Sequence, residues 1–152
     1  ASVLFDVDES ELTDAGKEAL RNVLPIYCKV LLQKDYKKYL AEIIIDGYTD
    51  TDGDYDYNLE LSQKRSLAVA QYLTEIRENF LSSDEISELQ NYLTVNGHGS
   101  ANPVLDSDGN VDKDASRRVE VKFRLKDDEM INELNQIMNT DKTSDSEKSG
   151  SN

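Results

Sequence analysis

Apolar positions along this chain recur at intervals of two or of about 3.6 residues, and each change of interval marks a new element. Ser2 to Val7 reads as a short strand, closed by the acidic turn Asp8-Glu9-Ser10-Glu11. Leu20, Val23, Leu24, Tyr27 and Leu31 then share a helical face, with Pro25 inside it, where a missing N–H should kink or divide the helix near Leu24. The β-branched run Ile43-Ile44-Ile45 predicts a buried strand over Glu42 to Tyr48, followed by a polar loop from Thr49 to Tyr57. Leu61, Ala68, Val69, Tyr72, Leu73 and Ile76 return to helical spacing, so a helix is expected from Leu59 to about Asn79 with Asn58 as its N-cap. Ser82-Ser83-Asp84-Glu85 has the form of a capping box opening a short helix to about Gln90, and Tyr92 to Gly97 reads as a third strand. From Arg118 to Leu125 apolar and charged residues alternate strictly, as in a strand wet on one side. Met130, Ile131, Leu134, Ile137 and Met138 form a last amphipathic helix, over about 128–138, expected to dock on the domain.

The order β-α-β-α-(α)-β-β predicts an α+β fold, a mixed four-stranded sheet with helices on one face. One domain is expected over 1–139, with its core at about 5–125. The tail from Thr140, residues 140–152, has no apolar residue to bury and is expected to be disordered.

Charge narrows the partners. Thirty-one acidic against 17 basic side chains leave a formal net charge of −14, a field that repels a phosphate backbone, so nucleic acid is excluded as a partner. The single Cys28 lies in an apolar helical stretch and reads as a small buried hydrophobe, with no intramolecular disulfide possible. No run approaches the roughly 20 apolar residues of a membrane span. A chain that opens directly in a strand is expected to be part of a longer protein, and any membrane attachment is expected in a region outside this chain.

The candidate chemistry centres on Asp50 and Arg65. Arg65 lies four residues from both Leu61 and Val69, within the apolar stripe, where an unpaired charge needs a partner, and Asp50 is the nearest in expectation. Asp50, Asp52, Asp54 and Asp56 alternate like calcium-loop ligands, but Tyr55 stands where Gly is required and Leu61 where Glu is. Asp106, Asp108, Asn110 and Asp112 fail the same pattern through Val111 and Arg117. No metal site and no cofactor are expected. With His98 as the lone histidine, an enzyme is not expected; the remote alternative is a metal-assisted hydrolase built on the acidic 50–56 loop. Tyr36, Tyr39, Tyr55 and Tyr57 leave open a protein-interaction scaffold instead.

Three separated motifs resemble the OmpA-like C-terminal domain, the peptidoglycan-binding module of OmpA proteins, peptidoglycan-associated lipoproteins and MotB-type motor stators. They are Gly47-Tyr48-Thr49-Asp50 with Gly53, Asn58-x-x-Leu61-Ser62-x-x-Arg65 with Val69, and Arg117-Arg118-Val119-Glu120. Val95-x-Gly97-x-Gly99 and Pro103 match the family's strand and following loop. Tyr48 stands where the family usually has His, and Ser116 where Asn usually precedes the double Arg. The resemblance implies non-covalent binding of peptidoglycan in the cell envelope, outside the cytoplasm. It further implies that Asp50 and Arg65 grip the zwitterionic end of the diaminopimelate stem peptide, with Tyr48, Thr49, Asn58, Leu61 and Arg118 shaping the pocket. A homodimer is possible by the same likeness, since stator relatives pair through this domain.

Overall fold

The structure, a computed structural model, describes residues 4–126 and 132–139. Its centre is a sheet in the order β2-β1-β3, built from β1 (Leu40–Tyr48), β2 (Leu93–Gly97) and β3 (Arg118–Leu125). β1 runs parallel to β2, with Ile45 opposite Val95, and antiparallel to β3, with Ile45 opposite Val121. The helices are α1 (Asp14–Leu31), the single turn α2 (Lys34–Lys37), α3 (Tyr55–Ile76), α4 (Ser83–Tyr92) and the short α5 (Lys113–Ser116). Among the described residues the sheet has three strands, not the expected four. Asp8 turns the chain through a positive φ of 59°, Phe5 bridges only to Leu12, and Thr13 N–H donates to Leu4 C=O at 2.9 Å. Residues 4–12 therefore fold back on themselves rather than joining the sheet. Ala1 to Val3 lie outside the described residues.

α1 runs unbroken through Pro25. The carbonyl four residues back belongs to exposed Arg21, a position open to solvent, which lowers the cost of the missing N–H. The Thr13 hydroxyl caps the start by accepting from Gly16 N–H at 3.0 Å. α4 carries the expected capping box between Ser82 and Glu85. α3 begins at Tyr55, four residues before the expected start at Leu59, so Asp54 holds the N-cap position and Asn58 is buried inside the first turn.

Side chains of β1 alternate between two environments. Ile43 and Ile45 join Leu24, Leu40, Val69, Leu73 and Leu89 in the core beneath α1, α3 and α4. Asp46 and Tyr48 point to the other face. Gly47 and Gly97 lie so near α3 that a Cβ on Gly47 would fall 2.4 Å from the Ser62 carbonyl oxygen, and one on Gly97 2.4 Å from Gln63 N. Strand ends and helix thus meet backbone to backbone, which fixes α3 against the loop after β1. Residues 132–139 form a last helix, α6, whose Leu134, Ile137 and Met138 are 51–58% exposed, so the expected docking of its apolar face is not seen. The expected tail falls outside the described residues.

Candidate functional site

At the C-terminal end of β1 the chain turns outward, and main-chain geometry fixes the turn. Thr49 N–H donates to Gly99 C=O at 2.7 Å, the Asp50 carboxylate accepts from Asp52 N–H at 2.9 Å, and Gly53 takes a φ of 87°. Asn58 closes the loop from the helix side, its Nδ2 donating to Asp52 C=O at 2.8 Å. That bond explains why Asn58 is buried without acting as a cap. Ser62 and Ser66, also fully buried, tie α3 to the strand ends through Gly99 N–H and Asn96 C=O.

The loop and helix enclose a cavity of about 270 Å³ lined by Thr49, Asp50, Asn58, Leu61, Arg65 and Arg117, with Val7 and Asp8 at one side. Asp50 and Arg65 share this cavity but are not an ion pair. Asp50 Oδ2 accepts from Arg117 Nη1 at 2.6 Å, and Arg117 is also paired with Asp114. Arg65, only 4% exposed, donates from Nε to Glu9 C=O at 2.8 Å and from Nη2 to Asp6 C=O at 3.2 Å, with Phe5 under its guanidinium. The expected partner is thus replaced by backbone carbonyls of the first segment. Burial pushes the Arg65 pKa down from its ordinary value, opposed by nearby Asp8, while Arg117 adds to the lowering. Arg117 is shifted the opposite way, held above its ordinary value chiefly by the hydrogen bond to Asp50. The cavity therefore presents a buried cation with no carboxylate on it among the described residues, beside a carboxylate already polarised by a second cation.

Tyr48 and Arg118 are not in this cavity. They lie on the sheet face away from α3, Arg118 stacked over the Tyr48 ring at 4.0 Å and His98 on the same ring at 4.8 Å. On that face His98 Nε2 approaches Asp46 Oδ1 to 2.9 Å, off hydrogen-bond alignment, and Lys122 bridges Glu120 and Tyr48. Arg117, part of the third motif but not of the pocket the resemblance implied, stands in the cavity in place of Arg118. The signal was available, since Arg118, Glu120 and Lys122 share the wet face, so the residue before them must turn to the other side. In the acidic loop Asp52 pairs with Lys113 at 2.9 Å, and the described residues contain no cluster of metal-ligating side chains.

This chain belongs to the OmpA family, which it matches over residues 4–117. It is 36% identical over 129 residues to Zorya protein ZorB of Escherichia coli O139:H28, an alignment that takes in 81% of this chain and 50% of that protein. The chain thus spans about half the length of that relative. The fold is similar to the peptidoglycan-associated lipoprotein of Burkholderia pseudomallei, with a TM-score of 0.54 at 24% identity over 80% of this chain and 88% of that one. It is also similar to the periplasmic domain of Helicobacter pylori MotB, residues 78–256, with a TM-score of 0.57 at 18% identity over 91% and 80% of the two chains.

Proposed function

We propose that this domain binds peptidoglycan non-covalently in the cavity between Asp50, Arg65 and Arg117, and so anchors a longer envelope protein to the cell wall. The observation that carries the reading is Arg65: a buried guanidinium, held by two main-chain carbonyls and with no carboxylate in contact among the described residues, facing the same cavity as Asp50. A ligand carboxylate supplies its missing counter-charge through paired N–H donors, and a ligand ammonium adds to the Asp50 carboxylate. An amino-acid head group carries both charges at fixed spacing, and the zwitterionic end of diaminopimelate in a wall stem peptide is such a group. Thr49, Asn58 and Leu61 set the width of the cavity. Family membership and the wall-associated lipoprotein's fold support the same reading. A periplasmic or other extracytoplasmic place in the envelope goes with it, and no helix among the described residues is long and apolar enough to cross a membrane.

Co-sedimentation with purified sacculi tests this. The domain is expected to pellet with diaminopimelate-type wall, and Asp50→Asn to remain soluble while keeping its helical circular dichroism. Undiminished pelleting of folded Asp50→Asn sinks the site. Equal binding to lysine-type wall sinks the stem-residue assignment alone.

A further inference from the structure

At the other end of β1 a second cavity, of about 590 Å³, opens between α1 and the end of β3. Its wall is apolar: Val23, Ile26 and Val30 from α1, Tyr36 from α2, and Phe123 and Leu125 from β3. These side chains are 45–67% exposed, a contiguous apolar surface of the kind that marks a binding groove. β1 spans about 30 Å at its rise per residue, so this groove is remote from the Arg65 cavity.

The chain itself carries the complement. Leu125 forms part of the groove, and Lys126 N–H still donates to Tyr39 C=O at 2.6 Å, which holds the backbone at the groove's edge. The described part of helix α6 is residues 132–139, where Ile137 and Met138 lie three and four residues after Leu134 and all three are exposed along one side. Residues 126 and 132 are six steps apart, a reach of about 20 Å, and the described part of α6 spans about 12 Å. Two open apolar faces on so short a tether meet at an effective concentration on the order of millimolar, far above that of a second molecule in dilute solution.

We propose that the groove between α1 and β3 is the seat of the chain's own helix α6, whose Leu134, Ile137 and Met138 dock on it in cis. Docking is independent of ligand in the Arg65 cavity.

The sequence has no Trp, so Leu134→Trp in the full chain is a unique reporter. Its emission is expected to be blue-shifted relative to N-acetyltryptophanamide, unchanged on dilution from micromolar to nanomolar protein, and returned to the solvent-exposed value by adding Ile26→Glu. Ile26 is 67% exposed, so that change leaves the core intact, as an unaltered thermal transition checks. Solvent-like emission in the single variant overturns the proposal, as does a blue shift that Ile26→Glu leaves in place. A shift lost on dilution overturns it too, by assigning the groove to a second copy.

Discussion

Asp50 and Arg65 line one cavity without forming an ion pair: Asp50 Oδ2 accepts from Arg117 Nη1 at 2.6 Å, and Arg65 donates to the carbonyls of Glu9 and Asp6. The two charges are therefore held by different partners, and each has its own consequence when removed.

Arg117→Ala frees the Asp50 carboxylate from its cation. Both side chains are largely covered, so the lost charge-assisted hydrogen bond is worth about 1.5–3 kcal/mol. Chemical denaturation is expected to show a loss in that range, and sacculus binding to weaken, because Asp50 then loses its fixed direction. Wild-type binding by Arg117→Ala would show that Asp50 needs no second cation.

Arg65→Ala acts on stability as well as on binding. It removes two hydrogen bonds to the first segment and also relieves a buried charge, so the net expected loss is about 1–3 kcal/mol. Protease digestion should then cut first within residues 4–12. Asp50→Asn keeps those bonds and should leave that segment protected. Comparing the two variants separates the structural role of Arg65 from its place in the cavity.

Gly97→Ala sets a Cβ 2.4 Å from Gln63 N and 2.7 Å from Gln63 Cα, both backbone atoms that cannot turn aside. Overpacking of this kind typically costs about 1–3 kcal/mol. The expected result is a lowered Tm together with weaker sacculus binding, because α3 carries Asn58, Leu61 and Arg65 into the cavity. A neutral Tm would mean that α3 gives way without cost.

Acid titration should reveal Glu120, whose carboxyl is held below its ordinary value by hydrogen bonds from Arg118 and Lys122. A carboxyl with a depressed folded pKa contributes stability above its unfolded pKa, near 4.5, and that contribution fades as pH falls through the folded value. Glu85, depressed through the capping box, titrates in the same sense. Thermal scans between pH 6 and pH 3 should show Tm falling below about 4.5, with a shallower fall in Glu120→Gln. An identical slope in that variant would place the acid sensitivity elsewhere.

Much of this fold was readable because burial and period coincide. Ile43 and Ile45 face the core, Arg118–Leu125 forms a strand although its Phe123 and Leu125 stay half exposed rather than covered, and the Ser82–Glu85 capping box forms as spelled. What escaped depends on long-range contacts that leave no periodic trace. The first segment reads as a strand, but the positive φ at Asp8 and the bridge from Phe5 to Leu12 turn it back toward α1. Asn58 has the chemistry of a cap, yet its amide serves the Asp52 carbonyl. Arg65 was rightly expected to be buried and in need of partners; that those partners are carbonyls 56 and 59 residues away could not be read from spacing.

The hold of Arg65 on Asp6 and Glu9 also defines a load path. Tension entering through residues 4–9 has a direct route to the cavity across the Arg65 side chain, in parallel with the Leu4–Thr13 hydrogen bond, the Phe5–Leu12 bridge and the backbone into α1. A ligand that grips the cavity is thereby coupled to the first segment by a shorter path than the ladders of β1, β2 and β3. Force spectroscopy on a chain pulled through that segment is expected to show a lower first rupture force in Arg65→Ala.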